Sequence, residues 1–279
     1  MRVRELLSTK LPAGAPAKTS TSIRQTRTVN PLFVRSVEKA LKLLSIFDSS
    51  RPSMSISQIA TASGLDRSAA QRFTYTLESL GYLAKNVDTK RYALTVKTLD
   101  IAYGYVRSSA VIEHSTPFLL HLSHKIREGV NLSVLDGTEV VVVARISSQH
   151  LINNNPSIGT RLPAYCTAAG IAILSNLPRA SAQKILEASR LQKLTDYTTY
   201  EIPDLLQKLD QATTQGYAAL CEERQLNDIS IAAAVLDPKG QPTAAVTIAL
   251  SKLDHTFENA IRQFAALVQA TAGAISGRD

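Results

Sequence analysis

Between Asp66 and Leu80 the side chains of Arg67, Ser68, Gln71, Arg72 and Tyr75 recur at the spacing that gathers residues on one face of a helix. The face is short, basic and rich in donors. Its chemistry is hydrogen bonding to base edges in a DNA major groove, with charge neutralisation on the flanking phosphates. Ala70, Phe73, Leu77 and Leu80 interleave with these residues and form an opposite stripe that can be buried. A charged outer helix face is most often merely solvated, so the reading depends on what surrounds this one.

A second candidate chemistry is nucleophilic. Cys166 with His121, His124 or His150 has the residue types of a thiol-dependent hydrolase, which needs a base within hydrogen-bond reach and a depressed thiol pKa. Cys166 lies between Tyr165 and Thr167 in an apolar stretch, the usual setting of a buried, inert thiol. His121 and His124 stand at i, i+3 without a third ligand nearby, so no metal is implied. No glycine-rich phosphate loop precedes a helix, and no cofactor is expected.

The elements around Arg67–Tyr75 favour the first chemistry. Ser55 or Ser57 can cap a short helix, Gly64 turns the chain, Asp66 can cap the second helix and Gly81 can end it. Tyr82–Lys85 and Arg91–Leu94 then read as two strands around Asn86–Thr89, with Lys85, Lys90 and Arg91 able to meet phosphates. Upstream, Val34, Val37, Ala40, Leu41, Leu44 and Phe47 predict an amphipathic first helix packed behind the pair, which also carries Arg35. Together these make a winged helix-turn-helix in residues 31–95 that binds double-stranded DNA.

The charge supports that division. Residues 1–93 hold 15 Lys/Arg against 6 Asp/Glu, whereas residues 94–279 hold 16 against 17, within a total of +8. An excess confined to one end suits a chain of which only one domain meets a polyanion. Part of it falls in residues 1–30, a Pro- and Ser/Thr-rich tail expected to be disordered. With 279 residues and 44% hydrophobic composition there is material for two cores, and two cysteines are too few for a disulfide framework. Neither a membrane-spanning apolar run nor a secretory signal is evident, so the cytoplasm is the expected location.

Beyond the wing, residues 96–112 read as a linking helix, with Leu99, Ala102, Tyr103 and Val106 on a side that needs a partner. That partner is either the same chain or a second subunit, and a second subunit would space two recognition helices for a palindromic site. Residues 113–279 predict an α+β domain with one sheet. Its expected elements are a helix over Thr116–Glu128 closed by Gly129, a hairpin at Asp136-Gly137, a short helix from Ala168, two further helices, three strands from Tyr217 to Ala249 and a last helix to Ile275.

The segments FVRSVEKALKLL, SISQIATASGLDRSAAQRFTYTLESLGYL, GTRLPAYCTAAGIAIL and QGYAALCEERQLNDISIAAAVLDPKGQPTAAVTIAL, in this order, resemble the IclR family of bacterial transcriptional regulators. LDRSAAQRF and IGTRLPAYCTAAG are most similar to its aromatic-acid (protocatechuate and 4-hydroxybenzoate) subgroup. The resemblance implies a GAF-like C-terminal domain that binds a small organic acid and self-associates as a dimer or tetramer. It implies effector contacts at Thr167, Ala168, Ala169, Leu220, Ser230, Thr247 and Ala249. Arg145 and Arg161 could add charge, although both are more commonly structural. Ser230, Leu220 and Ala249 stand where family members with small keto-acid effectors often carry cysteine, an acidic residue and serine. Their loss points to a larger or more apolar ligand, or to a degenerate pocket. The alternatives are accordingly a constitutive or architectural DNA binder and, more remotely, the Cys166 hydrolase.

Overall fold

The computed structural model describes residues 30–147 and 156–277, so the basic tail, His150 and the first three residues of the polar loop expected over 153–159 lie outside the described residues. The chain divides after Thr98 into two compact units.

The first unit comprises α1 (Arg35–Leu44), α2 (Ile56–Ser63), α3 (Arg67–Ser79) and an antiparallel hairpin of β1 (Leu83–Lys85) and β2 (Tyr92–Leu94). Its boundaries are set by local chemistry. The Ser55 hydroxyl accepts from the Gln58 amide at 3.4 Å while the Gln58 side chain accepts from the Ser55 amide at 3.0 Å, a reciprocal cap that starts α2. Gly64 ends α2 at φ 70°, a conformation that costs a residue without Cβ nothing. Asp66 accepts from the Ala69 amide at 2.8 Å and starts α3. Leu43, Phe47, Ile59, Ala70, Leu77 and Leu83 are among the side chains that fill the core of this unit.

Two expectations about its core are corrected. In α1 the chain buries Leu43, and just beyond the helix Ile46 and Phe47, whereas Val34, Val37 and Leu41 face outward at 57%, 54% and 56% exposure. In α3 the buried stripe is Ala70, Thr74 and Leu77, and Leu80 is 53% exposed because the helix has already ended there.

The second unit begins with α4 (Thr98–Ser108), which straddles the division, and α5 (Ala110–Ile126), followed by β3 (Gly129–Asp136) and β4 (Glu139–Ile146). Next come β5 (Arg161–Pro163), a 3-10 turn (Ala164–Cys166), α6 (Ala168–Leu174), α7 (Arg179–Ala188) and α8 (Ile202–Gln215). β6 (Ala218–Cys221), β7 (Asp228–Leu236), β8 (Pro242–Ser251) and α9 (Phe257–Ile275) complete it. The strands form one six-stranded antiparallel sheet in the order β5-β4-β3-β8-β7-β6. α5 begins earlier than its periodicity suggests, and Arg127 at φ 61°, not Gly129, ends it; Gly129 is already paired with Ala249 in the sheet.

Strand alternation assigns the two faces. Val130 and Leu132 of β3, Ile229 and Ile231 of β7 and Val246 and Ile248 of β8 meet Leu119 and Leu122 of α5 and Phe264 and Val268 of α9. Val140, Ala232 and Ala245 belong to a second core with Ile171 and Leu174 of α6, Leu186 of α7 and Leu205 and Leu209 of α8. The sheet therefore lies between two helical layers, and burial of both faces explains the long apolar runs in β7 and β8.

Candidate functional sites

On the first unit, Arg67, Ser68, Gln71, Arg72 and Tyr75 are all exposed along α3, with Tyr75 at 70%. The helix presents donors because Ala70, Thr74 and Leu77 take its other side into the core. At the wing tip the Asn86 carboxamide oxygen accepts from the Asp88 amide at 3.0 Å, the Thr89 amide at 2.8 Å and the Thr89 hydroxyl at 3.0 Å. This local turn leaves Lys90 exposed at φ 57°. Arg35 is exposed at the start of α1. Arg91 differs from the expectation of a phosphate contact: its guanidinium donates to the Ser53 hydroxyl at 3.0 Å and the Ser53 carbonyl at 2.5 Å, tying the wing to the chain before α2.

On the second unit, the strand positions that alternate with the α5/α9 core open into a small cavity of about 50 Å³ between the sheet and α6. Asn131 and Ser133 of β3, Thr247 and Ala249 of β8 and Ser230 of β7 line it, facing Thr167, Ala168 and Ala169 at the start of α6. The sheet register places Thr247 opposite Asn131 on one side and Ala232 on the other, so this polar patch is built by neighbouring strands. Thr247 is 8% exposed, and among the described residues its hydroxyl has no hydrogen-bond partner. A buried, unsatisfied hydroxyl is costly to a fold and asks for a ligand or water that satisfies it. Thr167 is committed to structure: its hydroxyl donates to the Pro163 carbonyl at 2.9 Å and accepts from the Gly170 amide at 3.3 Å, capping α6.

Of the effector residues expected from the sequence, the cavity brings together Thr167, Ala168, Ala169, Ser230, Thr247 and Ala249. Leu220 is placed elsewhere, at 3% exposure in the core between the sheet and α8. Arg161 is also elsewhere, paired with Asp136 at 2.5 Å and Glu139 at 2.7 Å on the surface. Arg145 donates to the Pro156 carbonyl at 3.1 Å and does not line the cavity.

Sequence reasoning missed Asn131, Ser133, Arg224 and Asp228, which all line it. Asn131 and Ser133 were signalled by polarity at alternate positions of an otherwise apolar strand. Arg224 lies in the turn between β6 and β7 and Asp228 at its end, and the position of that turn is set by contacts remote in sequence. Glu222 pairs with Lys252, and Glu223 pairs with Lys208. The Thr195 and Thr198 hydroxyls donate to the carbonyls of Glu222 and Glu223, each at 2.6 Å. The Lys252 ammonium, reinforced by the Asn227 amide, holds Glu222 below the usual carboxylate range. Burial pushes the Asp228 carboxyl up, opposed by the positive charge of Arg224.

Cys166 is 1% exposed, and burial raises its thiol pKa to about 11, the opposite of what a nucleophile requires. His121 and His124 are exposed on α5, and the described residues hold no cluster of three or more metal-ligating side chains.

Comparison with known proteins covers both units. The sequence profile described as "IclR helix-turn-helix domain" matches residues 36–86, and that described as "Bacterial transcriptional regulator IclR C-terminal" matches residues 103–277. The chain is similar to the Pca operon regulatory protein of Acinetobacter baylyi, 31% identical over 244 residues covering 86% of this chain and 87% of that one. It is 32% identical over 219 residues to the p-hydroxybenzoate hydroxylase transcriptional activator of the same organism, covering 77% of this chain and 80% of that one. Its fold matches the crystal structure of an IclR homolog from Microbacterium hydrocarbonoxydans complexed with 4-hydroxybenzoate. The TM-score is 0.73 at 20% identity, covering 87% of this chain and 98% of that one.

Proposed function

Since the chain belongs to the IclR family of bacterial transcriptional regulators, we propose that it is a DNA-binding regulator whose operator binding is set by a small organic acid held in the α6/sheet cavity. The family assigns it to transcription regulation rather than to catalysis. The finer reading rests on one observation, the buried Thr247 hydroxyl, without a partner among the described residues, in the polar-lined cavity between the sheet and α6. Two relatives are named for the pca operon and for p-hydroxybenzoate hydroxylase, and a structural neighbour carries 4-hydroxybenzoate. These names support an aromatic or ring-cleavage acid as the effector class.

In this reading Arg67, Ser68, Gln71, Arg72 and Tyr75 face base edges and adjacent backbone, and Lys90 and Arg35 meet phosphates. The protein acts as a dimer or a dimer of dimers on a palindromic site in the cytoplasm, where its DNA is. α4 supports self-association: it has no buried residue, and Leu99, Ile101, Tyr103 and Tyr105 are 60%, 59%, 65% and 51% exposed. An apolar helix left open in this way calls for a covering partner, and a second copy places two α3 helices on one DNA. The acid shifts an equilibrium between arrangements of those two helices. Among the described residues no helix is long and apolar enough to cross a membrane.

The test is a fluorescence-anisotropy titration on the intergenic DNA beside the gene, with and without a panel of aromatic acids and ring-cleavage products. Tight, salt-sensitive binding that one compound alters is the expected result. Binding indifferent to every compound would instead mark a constitutive or architectural role.

A further inference from the structure

Glu222, Glu223 and Arg224 in the turn between β6 and β7, and Asp228 at the first position of β7, are four charged side chains that the fold uses unequally. Glu222 and Glu223 are paired with Lys252 and Lys208. Arg224 and Asp228 line the cavity, and among the described residues neither side chain makes an ion pair or hydrogen bond. They share one cavity, but they do not approach within ion-pair distance of each other. Asp228 loses water on burial, and the charge of Arg224 acts on it only from beyond ion-pair distance, so its carboxylate gains no direct partner in return. Lysines are within reach of this turn, yet they are committed to its two glutamates. The arrangement makes sense if a ligand supplies both missing partners. Thr247, nine-tenths buried and unpartnered on the cavity floor, is an independent sign that a polar ligand completes the site.

We infer that Arg224 and Asp228 form a bipolar selector, Arg224 taking the carboxylate of the effector and Asp228 taking a hydrogen-bond donor, a hydroxyl, elsewhere on the same molecule. The inference rests on the cavity being the effector site and specifies which acids it accepts. A hydroxyl that donates to Asp228 forms a charge-assisted hydrogen bond. An unsubstituted acid leaves Asp228 desolvated and unpaired. A dicarboxylic acid brings a like charge against it, so hydroxylated mono-acids are selected and di-acids rejected.

Calorimetric titration of the full chain with two matched series tests this. One is 4-hydroxybenzoate, benzoate and terephthalate; the other is 6-hydroxyhexanoate, hexanoate and adipate. In at least one series the hydroxy-acid is expected to bind about 10- to 100-fold more tightly than its two analogues, the range of a charge-assisted hydrogen bond. Asp228→Asn, nearly isosteric, should compress that ratio and improve the di-acid, while Arg224→Gln should weaken every acid alike. Equal affinities within every series that binds, or ratios that Asp228→Asn leaves unchanged, would overturn the selector but keep the effector site. If none of the six acids binds, both the effector reading and the selector fall. The wild-type ratios decide the matter even if a variant does not fold.

Discussion

Thr247 and Thr74 have the same local defect in different surroundings, and the comparison separates function from folding. Both hydroxyls are buried without a partner, Thr74 in the core of the helix-turn-helix and Thr247 on the cavity floor. Replacing either by valine removes an unsatisfied polar atom at nearly constant volume, which should stabilise the unit that holds it by about 1 kcal/mol, or about 4–8 °C in the melt of the small first unit and about 2–4 °C in that of the second. Only Thr247→Val should also weaken effector binding, and calorimetry on both variants checks that. Asp228 should show a similar trade with a pH signature. Burial raises its pKa above the ordinary 3.8, so the native state binds this proton more tightly than the unfolded chain. The stability lost to the buried charge is therefore complete above the native pKa and vanishes as pH falls toward 3.8. Asp228→Asn should raise the melting temperature at neutral pH, and the gain should shrink on acidification; a gain constant with pH would contradict the burial account. On α3, Arg72→Ala should weaken specific operator binding by about 1–3 kcal/mol if Arg72 reads a base. An equal loss on random DNA would place it on phosphate instead. At this scale the sequence revealed residue types well and partners poorly. Arg91 has the right charge and position for DNA, but Ser53, distant in sequence, engages it.

Among the elements, α6 depends most on its neighbour. A Cβ on Gly170 would lie 2.0 Å from the Ala164 carbonyl oxygen and 2.4 Å from the Ala164 Cα, both backbone atoms that cannot swing aside. The glycine lets the first turn of α6 pack onto the preceding 3-10 turn, and that packing sets the wall of the cavity opposite the sheet. Gly170→Ala should therefore cost about 1–3 kcal/mol or more and abolish effector binding, as read by thermal melting and ligand titration. Intact ligand affinity in the variant would mean that α6 can move without deforming the site. Elements whose ends are set within a few residues, such as α2 with its Ser55–Gln58 cap and α3 with Asp66, were legible in the sequence. Orientation was less so. The apolar residues of α1 fall on more than one side, and periodicity does not say whether Val34 and Leu41 or Leu43 and Phe47 face the core. The fold chose the latter because Ile59 and Leu77 are there to meet them.

For the whole molecule, the same outward apolar residues become informative. Leu32, Phe33, Val34, Val37 and Leu41 around α1, and Leu99, Ile101, Tyr103 and Tyr105 on α4, are large apolar side chains left exposed on each unit, and grouped apolar exposure of this kind marks interaction surfaces. The division into a basic DNA-binding end and a neutral α+β remainder was readable from charge and from the change of periodicity after the wing. The proposed contact between copies has only one sign in the sequence, an apolar stripe lacking a partner. If α4 is covered by a second copy, replacing Leu99 and Tyr103 together by glutamate should lower the sedimenting mass. Both side chains are exposed within the single chain, so the melting temperature of the separated subunits should change little. Operator affinity should fall much further than loss of any one phosphate contact would cause, because two half-sites bound by linked domains gain from effective concentration and separate domains do not. Affinity for a single half-site should be unchanged. Unaltered mass and full operator affinity in the double variant would show that α4 is not the joint and shift attention to the open face of α1.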